Sequence, residues 1–207
     1  MGIASVRSGG VALVQRDDEL AVLTNRAAEA AGGQGSLVII SGEAGAGKTA
    51  FMEAFAACEP TVLWGACDPL TTPRPLGPFH DLADRLGPEV QRLLHTAEQP
   101  HEIYAAVFER LASEPTVLVI DDLHWADQGT VDLLRYVLRR IRATSSLVVG
   151  ALRDDEVDPM HSLRALLGDV ARSPDAFSIA LAPLTVESIA SMAVSYTHLT
   201  LPTNREV

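Results

Sequence analysis

Short apolar segments alternate with segments of helical periodicity along most of the chain. The apolar segments are rich in β-branched residues and end in polar or glycine-containing turns, which is typical of strands. This alternation predicts βαβ units and therefore an α/β fold with a five-stranded parallel sheet. The predicted strands are Leu37–Ser41, Thr61–Gly65, Thr116–Asp121, Ser146–Leu152 and Phe177–Leu181. The segments around Val119 and Val148 are almost continuously apolar, which predicts central strands covered on both faces.

Two segments have clear helical periodicity. The first begins with the acidic residues Asp17, Asp18 and Glu19 and ends at Gly32 and Gly33. Acidic residues at the start and glycine at the end favour a helix leading into the first strand. The second predicted helix extends from about Gln128 to Arg142, and its arginines are expected to form a solvated face. Several prolines between Asp68 and Pro78 predict a loop there.

Composition limits the classes of partner. The chain has 207 residues, 47% of them hydrophobic, which suits one α/β domain. Its formal net charge of −11 disfavours direct binding to nucleic acid, because phosphate contacts require clustered Lys and Arg. The longest apolar runs are only as long as a strand, and the N-terminus does not resemble a signal peptide. We therefore expect a cytoplasmic protein with no membrane association.

An octapeptide directly after the first predicted strand fits the pattern G-x-x-x-x-G-K-[ST], the P-loop. Its glycines allow backbone N–H groups to point at phosphate oxygens, and Lys48 can reach the β- and γ-phosphates of a nucleotide. Thr49 offers a hydroxyl oxygen to Mg²⁺. We therefore expect ATP and Mg²⁺ as cofactors. The predicted nucleotide-binding residues are Gly42, Glu43, Ala44, Gly45, Ala46, Gly47, Lys48, Thr49 and Ala50.

A second candidate element is the apolar strand that ends in Asp121 and Asp122. A carboxylate at the carboxyl edge of a parallel sheet suits Mg²⁺ coordination, so Asp121 is predicted to hold the ion through water. Asp122 is predicted to orient or deprotonate a water molecule that attacks the γ-phosphate. Arg153 follows a neighbouring strand and could sense the γ-phosphate from the same edge. The alternative is an ion pair between Arg153 and one of the following acids, Asp154, Asp155 or Glu156.

The heptapeptide Asp121–Asp127, which reads Asp-Asp-Leu-His-Trp-Ala-Asp, gives the chain a family resemblance. Together with the P-loop, it resembles the AAA-like ATPase domain of STAND signalling proteins, especially large LuxR-type transcriptional regulators of bacteria. The resemblance covers residues 11–192. Segment Val14–Leu20 is similar to the family's adenine-side motif, which implies a nucleotide-binding role for Arg16. Segments Pro75–Phe79 and Leu181–Thr185 are also similar to family motifs.

The resemblance implies a P-loop NTPase fold of the AAA/STAND type, a three-layer αβα sandwich. It implies the strand order 2-3-4-1-5, and it would put His124, Trp125 and Asp127 beside the γ-phosphate. Family members couple ATP binding and slow hydrolysis to a switch between resting and assembled states. Self-association and transcriptional regulation are therefore expectations for a longer protein that contains this domain.

The ends of the chain depart from this pattern. Residues 1–10 are expected to be a flexible N-terminus, and residues 11–192 a domain that lacks its helical lid. The helical periodicity that begins at Thr185 is lost after Ala193, and residues 193–207 resemble translated adapter sequence. We therefore expect this tail to be non-native or disordered.

Three functions are consistent with these residues. The first is an ATP-hydrolysing regulatory switch, and the second is a module that binds ATP or ADP without turnover. The third is a small-molecule kinase, which is disfavoured because the chain has neither an evident basic acceptor pocket nor an arginine-rich lid.

Overall fold

The centre of the fold is a five-stranded parallel sheet. The strand order is β2-β3-β4-β1-β5, as the family resemblance implied. Each strand agrees with its predicted position to within one residue at either end. The strands are β1 (Ser36–Ser41), β2 (Val62–Ala66), β3 (Val117–Asp121), β4 (Leu147–Leu152) and β5 (Ala176–Ala180).

Residues 16–158 and 160–183 are described by this computed structural model. The predicted flexible segment 1–10, the predicted helical segment from Thr185 and the predicted tail 193–207 lie outside the described residues. Within them, the helices are α1 (Asp17–Ala31), α2 (Lys48–Ala56), α3 (Gly77–Asp81), α4 (Ala83–Leu86), α5 (Pro88–Thr96), α6 (Pro100–Ser113), α7 (Gln128–Leu138) and α8 (Leu163–Val170).

Alternating side chains of the strands divide the core into two layers, one on each face of the sheet. Val38, Val119 and Val149 pack with α1 and α2 on one face. Leu118 and Val148 pack with helices α3 to α8 on the other. The sheet is therefore covered on both sides, as the predicted three-layer αβα sandwich requires.

Two helix boundaries differ from the sequence prediction. Helix α7 ends at Leu138 rather than near Arg142, and a 3-10 turn over Ile141–Ala143 follows it. Ile141 is nevertheless fully buried, so its apolar character continued the helical pattern past the true end. The predicted loop ends earlier than Pro78, because Gly77 begins α3. Proline is tolerated in the first turn of a helix, where its missing N–H has no partner to lose.

The parallel arrangement brings the carboxyl ends of β1, β3 and β4 to the same edge of the sheet. The P-loop follows β1, the acidic pair lies at the end of β3, and Arg153 follows β4. In open α/β sheets, ligands bind outside the carboxyl ends of the strands. This edge is therefore the candidate site.

Candidate nucleotide-binding site

The P-loop joins β1 to α2 and has the backbone conformation that its glycines allow. Gly45 and Gly47 have φ angles of 80° and 81°, in the left-handed region that favours glycine. A Cβ atom at either position would have no heavy atom within 4 Å, so both glycines border open space. A Cβ at Gly42, by contrast, would lie 2.6 Å from the carbonyl oxygen of Leu181. The loop is therefore packed against the segment after β5 on one side and open on the other.

Lys48 is the first residue of α2, and its side chain folds over the P-loop. Its Nζ donates hydrogen bonds to the carbonyl oxygens of Gly42, 2.6 Å away, and Glu43, 2.9 Å away. Burial lowers the pKa of Lys48, and the positive charge of Arg153 lowers it further. A buried cation over a loop with open glycine positions suits an anionic ligand such as a phosphate chain.

Thr49 and Asp121 lie side by side between the P-loop and the end of β3. The Thr49 hydroxyl donates to Oδ2 of Asp121 at 3.0 Å, and the backbone N–H of Asp122 donates to Oδ1 at 2.8 Å. Burial raises the pKa of Asp121, while these two hydrogen bonds act in the opposite direction. A hydroxyl and a carboxylate are oxygen ligands of the kind that Mg²⁺ prefers. The pair therefore fits a Mg²⁺ ion that accompanies a bound phosphate chain.

Asp122 immediately follows β3 and has an unusual backbone conformation. Its φ and ψ angles are 52° and 42°, in the left-handed region that aspartate enters more readily than most residues. A 3-10 turn over Leu123–Trp125 follows it. The side chain is 43% exposed, so the carboxylate can reach solvent at the sheet edge. The catalytic role predicted for Asp122 stays a prediction.

His124 and Arg153 meet beside Asp122. The backbone N–H of Arg153 donates to Nδ1 of His124 at 3.4 Å, while Nε2 lies 3.7 Å from Oδ1 of Asp122. Burial lowers the pKa of His124, although the charges of Glu156 and Asp122 oppose this shift. The guanidinium of Arg153 pairs with Glu156 at 2.6 Å, which raises the arginine's pKa. Arg153 thus emerges at the predicted edge and forms one of the ion pairs considered for it; its sensing role stays a prediction.

Comparison with protein families gives a match over residues 12–149 to the family described as AAA ATPase domain. This chain belongs to the AAA ATPase domain family. It is accordingly a nucleotide-binding domain, and domains of this family usually bind their nucleotide with Mg²⁺. A comparison with curated proteins gave no match.

Solved structures of three proteins share the fold of this AAA domain. A STAND protein with a tetratricopeptide repeat sensor from Pyrococcus horikoshii aligns with a TM-score of 0.53 and 22% identity, over 96% of this chain and 27% of that one. RuvB from Thermotoga maritima aligns with a TM-score of 0.53 and 16% identity, over 90% of this chain and 51% of that one. A chain of the Drosophila origin recognition complex, solved bound to DNA, aligns with a TM-score of 0.50 and 14% identity, over 82% of this chain and 91% of that one. This chain thus spans about a quarter of the STAND protein's length.

Arg16 stands just before α1 in the AAA domain and is almost completely buried, with 7% of its surface exposed. Its guanidinium donates to the carbonyl oxygen of Ala46 in the P-loop at 3.4 Å, and to that of Ala182. It also pairs with Glu19 at 3.2 Å. Arg16 therefore connects the P-loop to the segment after β5. Its predicted contact with the nucleotide stays a prediction, and Val14 and Gln15 of the same motif lie outside the described residues.

The remaining residues of the heptapeptide have different surroundings. Asp127 caps α7 by accepting a hydrogen bond from the backbone N–H of Thr130 at 3.0 Å, and it also accepts one from the N–H of Leu76 at 3.1 Å. Trp125 is 40% exposed and lines a shallow cleft together with Cys67 and Asp127. His124 thus contacts Asp122, Trp125 lines the cleft, and Asp127 joins α7 to the loop before α3. The position beside the γ-phosphate that was expected for these three residues stays a prediction.

Two contacts of the site are not among the sequence predictions. His161 places Nε2 2.9 Å from the carbonyl oxygen of His124, although the two residues are 37 positions apart. Gly150 in β4 is packed so closely that a Cβ there would lie 2.4 Å from Cδ1 of Leu123. A glycine inside an apolar strand does indicate close approach of another group, but not which group.

None of the helices within residues 16–158 and 160–183 has the length and apolar character needed to cross a membrane.

Proposed function

We propose that this AAA domain binds ATP with Mg²⁺, hydrolyses it slowly, and thereby switches a larger regulatory protein between two states. The observation that supports this most strongly is the convergence of Lys48, Thr49, Asp121 and Asp122 at the carboxyl edge of β1 and β3. A buried cation, a hydroxyl and two carboxylates are the groups that binding and hydrolysis of a triphosphate require.

Each group has a separate part in this proposal. Lys48 exchanges its hydrogen bonds with the P-loop carbonyls for contacts with the β- and γ-phosphates, while loop N–H groups up to Ala50 bind the phosphate oxygens. Thr49 and Asp121 would hold Mg²⁺. The ion, when bound, neutralises negative charge on the phosphates. Asp122 orients the attacking water and accepts its proton.

Arg153 supplies the link between nucleotide state and conformation in this proposal. Its guanidinium is engaged by Glu156 at 2.6 Å, yet it lies close enough to Lys48 to lower that residue's pKa. A γ-phosphate offers Arg153 a competing anion with more than one negative charge. Exchange of Glu156 for phosphate would then move the segment after β4 only when a triphosphate is bound.

The regulatory context rests on the heptapeptide Asp121–Asp127 and on the fold shared with a STAND protein. In that context the domain lies within a longer LuxR-type transcriptional regulator that self-associates when the nucleotide favours its active state. A signal would act by changing the relative stability of the two states.

The decisive experiment is measurement of phosphate release by the purified protein with ATP and Mg²⁺. The wild type is expected to turn over slowly, and Asp122→Asn is expected to reduce turnover by about 100-fold, in the range of general-base effects, with ATP affinity unchanged. Asparagine is chosen because it has nearly the same size as aspartate and tolerates the left-handed backbone conformation of residue 122. Equal release by both proteins would contradict the role of Asp122.

A second candidate is a module that retains ATP or ADP without turnover. It is favoured by the ion pair between Arg153 and Glu156, which keeps the guanidinium away from a phosphate in this conformation. Tight nucleotide binding without phosphate release above that of Asp122→Asn would support this candidate and overturn hydrolysis.

A further inference from the structure

Nε2 of His124 is a fully buried polar atom with no hydrogen-bond partner in the described part of the chain. The side chain has 0% exposure, and Nε2 lies 3.5 Å from Oε2 of Glu156 and 3.7 Å from Oδ1 of Asp122. A buried donor that remains unpaired destabilises the folded state. The fold therefore keeps this nitrogen between two carboxylates at an energetic cost.

The ring and the backbone of His124 each have a hydrogen-bond partner from a different part of the chain. Its Nδ1 accepts the backbone N–H of Arg153 at 3.4 Å, so the neutral ring must carry its proton on Nε2. The carbonyl oxygen of His124 lies 2.9 Å from Nε2 of His161, whose own Nδ1 accepts the N–H of Leu163. His161 therefore donates to that carbonyl. The proton of the neutral His124 ring is therefore assigned to Nε2, the nitrogen that lies between the two carboxylates.

The two carboxylates differ in how firmly they are already bound. Oε1 of Glu156 is engaged by the guanidinium of Arg153 at 2.6 Å, whereas Oε2, the oxygen that faces His124, accepts no hydrogen bond in the described part of the chain. The carboxylate of Asp122 accepts no hydrogen bond within residues 16–158 and 160–183, and it is 43% exposed. A rotation of the Asp122 side chain that shortens the distance between its Oδ1 and Nε2 of His124 by roughly 1 Å would give a hydrogen bond of normal length. Both carboxylates therefore present an oxygen to Nε2, and Asp122 is the one that no arginine among the described residues holds in place.

We propose that His124 is a positioning residue for Asp122, whose carboxylate it orients by donating a hydrogen bond from Nε2. This rests on the proposed hydrolysis, in which the water oxygen bonds to the γ-phosphorus as the bond to the bridging oxygen of ADP breaks. The proton of that water passes to the free oxygen of Asp122, and His124 keeps its own proton throughout. A single exposed aspartate would otherwise sample several rotamers, of which few direct an oxygen at the water.

Two substitutions separate the functions of the two ring nitrogens. His124→Asn keeps an acceptor near the position of Nδ1 but has no group at Nε2, whereas His124→Gln can place an amide N–H near Nε2. His124→Asn is expected to lower kcat by about 10-fold or more with KM and nucleotide affinity nearly unchanged, and His124→Gln should recover most of the rate. A lower thermal stability with unchanged kcat for His124→Asn would indicate a purely structural role and overturn the proposal.

A double-mutant cycle tests whether His124 acts through Asp122. In the Asp122→Asn background, His124→Asn should cause no further loss of kcat, because the carboxylate that it positions is gone. Independent losses that multiply would overturn the proposal. The same cycle with Glu156→Gln should give independent effects, whereas coupling only to Glu156 would assign His124 to the other carboxylate.

Histidine NMR of the nucleotide-free protein tests the geometry without turnover. The His124 ring should be the Nε2–H tautomer at neutral pH, and Asp122→Asn should shift its Nε2 resonance; an Nδ1–H tautomer would overturn the proposal.

The kinetic outcomes separate this proposal from the function on which it rests. Phosphate release that requires Asp122 but is insensitive to His124→Asn overturns the positioning role alone, whereas no release by the wild type overturns both.

Discussion

The hydroxyl of Thr49 donates a hydrogen bond to Oδ2 of Asp121 at 3.0 Å, joining two residues that are 72 positions apart in the sequence. The bond links the start of α2 to the end of β3, which belong to separate βαβ units. The two oxygen ligands proposed for Mg²⁺ are thereby brought together before any ion binds. Preorganisation of this kind reduces the free energy that must be spent when a ligand binds.

Replacement of Asp121 by asparagine should stabilise the nucleotide-free protein while removing its response to Mg²⁺. The pKa of Asp121 is raised by burial, so the folded state disfavours the carboxylate at neutral pH. Such a group contributes stability below its unfolded pKa and loses that contribution as pH rises through its folded pKa. Asparagine avoids this loss, and we expect the free energy of unfolding at pH 7 in EDTA to rise.

Two measurements check this prediction. Urea unfolding in EDTA gives the stability, and titration of ATP with and without Mg²⁺ gives the metal response. Wild-type affinity for ATP should increase with Mg²⁺, whereas that of Asp121→Asn should change little. A variant that keeps the wild-type Mg²⁺ response would show that Asp121 does not hold the ion.

Asp127 should contribute mainly to stability rather than to nucleotide affinity. Its carboxylate accepts hydrogen bonds from the N–H and the hydroxyl of Thr130 and from the N–H of Leu76. Loss of a helix cap together with a buried backbone partner should cost about 2–3 kcal/mol in Asp127→Ala, as measured by urea unfolding. Asp127→Asn, which retains a capping oxygen, should cost about 1 kcal/mol or less.

The same pair of variants tests the position that the family resemblance gave to Asp127. If this residue bound the γ-phosphate side of the nucleotide, Asp127→Asn would alter ATP affinity more than it altered stability. We expect instead that Asp127→Asn alters the free energy of unfolding more than it alters ATP affinity.

The sheet was predictable from the sequence because its strands have a strong and unambiguous pattern. Val117–Ile120 is apolar at every position and rich in β-branched residues, which favours a strand covered on both faces. The octapeptide ending in Thr49 was equally clear, since its residue types and its position after a strand are both required for binding phosphate. The strand order came from family resemblance, because hydrophobic periodicity does not specify which strands are neighbours.

The interactions among the site's side chains were not predictable in the same way. Whether Arg153 pairs with Asp154, Asp155 or Glu156 depends on the turn after β4, which holds Glu156 against the guanidinium. The burial of His124 depends on β4 and on His161, both distant in sequence. The predicted ends of α7 and of the loop before α3 are wrong for a local reason. Ile141 fits a helix as well as the 3-10 turn in which it lies, and Pro78 fits a loop as well as the first turn of α3.

The two cysteines should differ sharply in reactivity. Burial, together with the negative charges of Asp127 and neighbouring acids, raises the pKa of Cys67 to about 12, whereas Cys58 is exposed. A disulfide-exchange reagent should therefore modify one thiol in the native protein at pH 8 and both after unfolding, because the thiolate is the reactive form. Rapid modification of both thiols in the native state would contradict the burial of Cys67.

The raised pKa of Cys67 also predicts a dependence of stability on alkaline pH. The folded state retains the thiol proton up to about pH 12, whereas the unfolded chain releases it near pH 9.0. The contribution of this group is therefore complete below pH 9.0 and is lost as pH rises towards 12. Relative to Cys67→Ala, the wild type should lose about 2 kcal/mol between pH 8 and pH 10.5, as determined by urea unfolding at each pH.

The central claim is that the loop from Gly42 to Thr49 binds the phosphates of ATP, with Lys48 as their main cation. Calorimetric titration of the folded protein with ATP and Mg²⁺ tests it most directly, using Lys48→Ala as the variant and circular dichroism to verify folding. Without Lys48 the buried contact with the β- and γ-phosphates is lost, and we expect ATP affinity to fall by about 100-fold or more. Equal ATP affinity in the wild type and in a folded Lys48→Ala variant would contradict the account.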